Sequence, residues 1–191
     1  MTRAWIPPEW LSDGGAGTAT DLDLAVVLLN SLDLLDDPAD RLSDLAWWCD
    51  ALRQTGHEDL AATQRPADLP RLRELRETLR AAFEADSVEA AAATLNPALL
   101  SAGAVVQVGA AGLTVTGTGP GGDLAARLLA AVAAQVSEHG TDRLGVCASD
   151  PCRCAYVDRT RAATRRYCCS VCNDRAAARA YRRRRAAARP G

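Results

Sequence analysis

Six of the chain's seven cysteines, Cys147, Cys152, Cys154, Cys168, Cys169 and Cys172, fall within a 26-residue stretch near the C-terminus. Thiols packed this densely in a reducing compartment are metal ligands rather than disulfide partners. Two pairs stand out, Cys147-x4-Cys152 and Cys168-x3-Cys172, with fifteen residues between them. Each places two soft ligands on a short loop, and two such loops meet the tetrahedral demand of Zn2+ at about 2.3 Å per sulfur. Spacing alone also allows Cys152 with Cys154, or Cys169 with Cys172. Four thiolates leave no open coordination position, so the expected role of zinc is structural. Ala155 to Val157 reads as a strand turning back toward the second pair. Cys172 opens a helix, where free backbone N–H groups favour a negatively charged cluster.

That helix is the second chemical feature. Asp174 to Arg189 is nearly all alanine and arginine, both strong helix formers. Arg175, Arg179, Arg182 and Arg183 recur at steps of three and four and share a face, which Arg184 and Arg185 widen. Arg159, Arg161, Arg165 and Arg166 add charge on the loop before the second cysteine pair. The planar fork of guanidinium donors suits phosphate, which makes eight of these arginines, Arg159, Arg161, Arg165, Arg166, Arg175, Arg179, Arg182 and Arg183, the candidate nucleic-acid contacts. Tyr156, Tyr167 and Tyr181 either stack on bases or, for the first two, pack the zinc core. The net charge of −2 hides a division: residues 1–142 hold 9 basic and 21 acidic residues, and residues 143–191 hold 13 and 3. Every basic residue is arginine. An acidic front and a basic end point to a polyanion as the partner of the end.

The elements that must position these groups follow from apolar spacing. Residues 1–19 read as a flexible leader, glycine-rich over 11–19. Leu22, Ala25, Val26, Leu29 and Leu32 predict a helix over Asp21–Leu35, ended by Pro38. Asp40 caps a second helix through Leu42, Leu45, Cys49 and Leu52 to Gly56. Asp68 caps a third, with Pro70 in its first turn, Leu72, Leu75, Leu79 and Phe83 as its apolar stripe, and Arg73, Glu74, Arg76 and Glu77 on the other face. Ser87 to Leu95 is an alanine-rich helix broken at Asn96-Pro97. Val105–Val108 and Leu113–Thr116, joined by Gly109 to Gly112, are a β-hairpin. After a loop over Gly117–Gly122, Asp123–Ser137 forms the last helix before the cysteines, stopped by Gly140. The expected fold is α+β and mostly α: a helical domain over 20–140 with a small hairpin, then a four-cysteine finger with its basic helix over 143–189.

The cysteine segment resembles the CGNR zinc fingers. Its matching residues are Cys147, Cys152, Tyr156, Asp158, Arg165, Arg166, Tyr167, Cys168, Cys172 and Arg175. The resemblance implies Cys147, Cys152, Cys168 and Cys172 as ligands, with Cys154 and Cys169 as bystanders. The signature departs at Cys172-Asn-Asp-Arg175, where the family has Cys-Gly-Asn-Arg. More broadly, the front resembles the ABATE domain that precedes such fingers, whose first apolar helix ends in Asn-Thr; Leu24 to Ser31, with Asn30, matches it. The resemblance implies a transcription regulator or an RNA binder.

Other features exclude more than they suggest. No uncharged apolar run reaches the length of a membrane span, and the N-terminus lacks the pattern of a secretory signal, so a cytoplasmic protein is expected. The glycine-rich loop is not followed by Gly-Lys-Ser/Thr and is no phosphate loop. His57 and His139 fall at helix ends and are expected to face solvent. Cys49 reads as a core thiol. Trp47 and Trp48 with Asn30 and Asn96 are a weaker candidate for a small-ligand site. No nucleophile, base and orienting group assemble, so no enzyme is expected. The reading is a zinc-finger regulator that binds DNA or RNA, with a front domain that senses a small-molecule effector or mediates homo-oligomer formation. The rival is a protein-interaction module whose basic finger binds an acidic protein surface.

Overall fold

The computed structural model describes residues 6–12, 19–110 and 112–187. Seven α-helices and two small hairpins are present among them: α1 Asp21–Leu29, α2 Leu45–Gln54, α3 Glu58–Thr63, α4 Leu69–Phe83, α5 Val88–Ala102, β1 Ala104–Gly109, β2 Gly112–Gly117, α6 Gly122–His139, β3 Leu144–Val146, β4 Ala155–Val157 and α7 Ser170–Ala187. The fold is α+β and mostly α, as the sequence predicts.

The central element is α1. Thr20 and Asp23 close a capping box: Thr20 Oγ1 accepts the Asp23 N–H at 3.1 Å, and the Asp23 carboxylate accepts the Thr20 N–H at 3.0 Å. From Asp23 to Leu29 every residue is buried. A helix apolar all round must be surrounded, and α4, α6 and β4 do so. Leu24, Leu28, Leu79, Leu95, Leu128 and Val132 form the centre of the core. Each such side chain contributes about 1.5–3 kcal/mol through removal from water.

Several elements differ from expectation. α1 stops at Leu29 rather than Leu35, because Asn30 is drawn sideways into a contact described below. Asp40 caps only a 3-10 turn, Arg41–Ser43, and α2 is capped by Asp44, which accepts the Ala46 N–H at 2.8 Å. The short α3 went unread in the sequence. Pro97 does not end α5. Ala93, Asn96 and Pro97 are all exposed, so the carbonyl that the missing proline N–H leaves open lies on the solvent side of the helix. The helix instead ends at Gly103 in a left-handed conformation with φ 57°. The hairpin forms as read, with Val106 opposite Val115 and Val108 opposite Leu113.

Arg76 departs most. Expected on the charged face of α4, it is 4% exposed and bonds Asp40 Oδ1 at 2.7 Å and Ser31 Oγ at 2.9 Å. Part of the expected leader is also anchored: Pro8–Trp10 is a 3-10 turn whose Trp10 is buried in the core, and Ser12 Oγ donates to Asp23 at 2.7 Å. Residues 1–5 and 13–18 of that segment lie outside the described residues.

Candidate metal centre

The finger starts from an antiparallel pair. Leu144 faces Val157, Gly145 faces Tyr156 and Val146 faces Ala155. Gly145 is needed there, since a Cβ would sit 2.6 Å from the Tyr156 ring and hydroxyl. Tyr156 Oη donates to the Arg165 carbonyl at 2.7 Å, so the ring packs the finger. Asp158, after β4, closes the following loop by accepting the Thr160 N–H at 2.8 Å, the Thr160 hydroxyl at 2.6 Å and the Arg165 N–H at 2.7 Å. Burial works to raise its carboxyl, but these bonds outweigh it and hold the pKa below the ordinary value.

Each cysteine pair has its own scaffold. The Cys147 N–H bonds the Cys154 carbonyl at 2.9 Å, and the Cys152 N–H bonds the Ser149 carbonyl at 2.8 Å, folding the first loop into a knuckle. Cys168 precedes α7 and Cys172 lies in its first turn. Together they bring the sulfurs of Cys147, Cys152, Cys168 and Cys172, all buried, within 4.8 Å of one another. Cys168 lies 3.7 Å from both Cys152 and Cys172. A tetrahedron with metal–sulfur bonds of about 2.3 Å has sulfur–sulfur edges of about 3.8 Å. The donor set therefore fits zinc and is closed on all four sides.

The thiols alone are electrostatically unsettled. Hydrogen bonds from Cys154 and then Cys168 bring the Cys152 thiol down from its ordinary value. Burial, then the charge on Cys152, pushes Cys172 up. Hydrogen bonding to Cys152 pushes Cys168 up as well. Four thiolates cannot share this volume without a cation to compensate them. Arg175 supplies part of the compensation: its Nη1 lies 3.9 Å from Cys172 Sγ. Cys154, also buried, neighbours Cys152 and Cys168, while half-buried Cys169 lies 3.8 Å from Cys168. Neither belongs to the four-sulfur set.

The finger is bolted to the helical domain by α1 and α4. Fully buried Asn30 donates from Nδ2 to the Ala155 carbonyl at 3.0 Å and accepts the Ala155 N–H at 2.6 Å. In an antiparallel pair, alternate residues turn their backbone groups outward. Ala155 does so, and the Asn30 amide stands where a third strand would. Arg80 adds bonds to the Arg153 and Leu29 carbonyls, both at 2.9 Å. Arg153 pairs with Glu84, and Arg159 with buried Asp23.

The eight candidate arginines divide. Arg165 is committed to the finger: it lies 4.9 Å over the Tyr156 ring and donates to the Tyr167 and Cys168 carbonyls. Arg159 is held by Asp23, Arg175 by the thiolate cluster, and Arg179 by the Asp150 carbonyl and carboxylate. Arg161, Arg166, Arg182 and Arg183 are exposed and make no ion pair among the described residues.

His57 corrects the expectation of a solvent-facing ring. It is buried, 3.0 Å from Thr55 Oγ1 and 3.3 Å from Asp21 Oδ1. Arg127 holds the same carboxylate at 2.7 Å. His139 is exposed, and Cys49 is half-buried against the Ala61 carbonyl. The tryptophans and asparagines do not assemble a ligand site. Trp48 is buried with its indole N–H on Gln64, Trp47 lies under Arg41, Asn30 serves Ala155, and Asn96 is exposed. A cavity of about 910 Å³ lies elsewhere, lined by Leu60, Leu72, Leu75, Ala102 and Leu124 and by the glycine-rich loop after β2. The sequence offered no signal for it beyond that loop.

A helical domain carrying a closed four-thiolate knuckle and a basic helix defines a structural zinc-finger protein. The ABATE family model, described as a putative stress-induced transcription regulator, matches residues 22–143, and the CGNR zinc finger model matches residues 143–185. The chain therefore belongs to the ABATE family, with a CGNR zinc finger after the helical domain. No curated protein matches it. Among the described residues, no helix is long and apolar enough to cross a membrane.

Proposed function

We propose that this protein is a transcription regulator whose zinc finger binds nucleic acid through backbone phosphates, and whose helical domain senses a small molecule and mediates association. The observation that carries the reading is α7. It is launched from the metal cluster and carries Arg182, Arg183, Arg184 and Arg185, all exposed. Arg161 and Arg166 extend the charge on the neighbouring loop.

Two observations support the rest. The 910 Å³ cavity is of ligand size. Its wall includes Leu72, Leu75 and Thr78 of α4, the helix that also sends Arg80 to the Arg153 carbonyl of the finger, so occupancy of the cavity and docking of the finger share one element. The hairpin leaves Val106, Val108 and Leu113 exposed on one face, with Val108 88% exposed, and Leu100 of α5 is 82% exposed. Such an apolar surface suits association.

The test is a salt titration of the full-length, zinc-loaded protein against a DNA duplex and an RNA. If the four arginines of 182–185 each neutralise a phosphate, log affinity falls against log salt with a slope of about −3.6 on duplex. Failure to bind either nucleic acid at low salt would sink the reading. A small molecule retained through purification, detected by mass spectrometry, tests the cavity.

A further inference from the structure

A second, smaller cavity of about 390 Å³ lies between the Cys147–Cys152 knuckle and α7. Its polar lining is Ser149, Asp150, Arg166, Arg179 and Arg183, with Tyr167 beside them. Ser149 is 2% exposed, and its hydroxyl has no hydrogen-bond partner. A buried hydroxyl left unmatched costs about 1–3 kcal/mol, so its persistence calls for a ligand. The groove is braced from both sides. The Ala148 N–H bonds the Arg166 carbonyl at 2.9 Å, and Arg179 bonds the Asp150 carbonyl. The Asp150 side chain is 91% exposed and only its outer oxygen approaches Arg179, at 3.7 Å. Three guanidinium groups against that one carboxylate leave the groove net positive.

We propose that this groove is a phosphate seat, in which the Ser149 hydroxyl and the guanidinium groups of Arg166, Arg179 and Arg183 take one phosphate group. The donors match the ligand: a neutral O–H at the floor, forked N–H groups on the rim, and a single carboxylate, Asp150, turned out to solvent. The seat deepens the nucleic-acid reading and rests on it for the source of the phosphate, a backbone diester. It also assigns a purpose to the knuckle beyond holding the metal, since the loop that carries Cys147 and Cys152 presents Ser149 to the groove.

The experiment has two arms, both on the full-length zinc-loaded protein. In the first, inorganic phosphate is titrated while backbone amides are followed by NMR. Ser149, Arg166, Arg179 and Arg183 amides are expected to shift together and saturably in the parent and in Arg185→Ala, and not in Ser149→Ala or Arg183→Ala. Uniform, unsaturable drift of all arginine amides would overturn the seat. In the second arm, duplex and RNA binding are measured for the same variants. Ser149→Ala is expected to weaken binding about tenfold without changing the salt slope, because the hydroxyl is uncharged. Arg183→Ala is expected to weaken binding more than Arg185→Ala does, while each reduces the slope on duplex by about 0.9. Zinc content is measured in every variant. If Ser149→Ala loses zinc affinity but keeps the phosphate response, the hydroxyl serves the thiolates and the seat is refuted. If nucleic acid binds but Ser149→Ala is silent and Arg183→Ala behaves like Arg185→Ala, the seat fails and the regulator reading stands. If phosphate saturates the groove but neither nucleic acid binds, the seat stands for a free phosphate and its nucleic-acid source is overturned.

Discussion

The substitution Asn30→Ala tests how the two parts of the molecule are joined. Asn30 is wholly buried and matches both backbone groups of Ala155, itself wholly buried. Removing the amide leaves one N–H and one C=O without partners. Each unmatched group costs about 1–3 kcal/mol, and some water entering the vacated space moderates the sum, so a loss of about 3 kcal/mol is expected. The loss should be located at the docking surface, because the metal site holds the finger together independently. Denaturant unfolding of the zinc-loaded protein gives the magnitude, and amide exchange gives the place: the Ala155 N–H should lose protection while the core of α6 does not. Asn30→Asp adds a signature. One carboxylate oxygen still accepts the Ala155 N–H, but the other faces the Ala155 carbonyl. Only the protonated acid can donate to that carbonyl, so the folded-state pKa rises above the unfolded value of about 3.9. Stability is then recovered at low pH and lost as pH rises through the folded pKa. An Asn30→Ala protein within about 0.5 kcal/mol of the parent, with Ala155 still protected, would refute the reasoning.

Four further outcomes are expected. Cys168→Ser, or a strong chelator, should release the metal and unfold residues 143–187 while the helical signal of α1–α6 persists; metal binding supplies on the order of 10 kcal/mol to such modules. Cys49→Ser and Cys169→Ser should keep stoichiometric zinc by elemental analysis. Arg175→Glu should weaken zinc about tenfold in competition with a chromophoric chelator, because it replaces the cation beside Cys172 with an anion. Burial of Asp21 opposes ionisation, but hydrogen bonds from His57 and Arg127 bring its pKa from 3.8 to about 2. The folded value is the lower one, so this stabilisation is complete above pH 3.8 and is lost as pH falls toward 2. With the carboxylate partly exposed, it amounts to roughly 1–2 kcal/mol, and Asp21→Asn should flatten acid unfolding in that window.

The zinc ligands were legible because their chemistry demands one residue type at short separations. Cys147, Cys152, Cys168 and Cys172 could be proposed from spacing, although choosing them over Cys154 and Cys169 needed the family resemblance. The hairpin and α6 were legible from period alone. Arg76 and Arg80 were not, yet a signal existed. With Leu72, Leu79 and Phe83 they continue the same three-and-four spacing, so the apolar stripe of α4 contains two arginines. Reading charge as exposure hid them. Asn30 ends α1 for a reason 125 residues away, at Ala155, and no local pattern encodes that. Pro97 misled because its place on the exposed side of α5 lets the helix carry one missing hydrogen bond and continue to Gly103.

The charge division acquires a spatial meaning from the pairs that bridge it. Asp23 and Glu84 of the helical domain hold Arg159 and Arg153, so the side of the finger nearest α1 and α4 is neutralised within the molecule. The cluster takes Arg175, and the finger's own carbonyls take Arg165. What remains exposed, Arg161, Arg166 and Arg182 to Arg185, belongs to the finger and to α7. The chain therefore combines an acidic body with a basic arm and does not spread its charge evenly. In the field of a polyanion such a molecule is turned arm first, because the body is repelled while the arm is attracted. On this argument the acidic excess of the helical domain does not oppose nucleic-acid binding. If the proposed reading holds, it orients the encounter and directs contact to the face that carries the arginines.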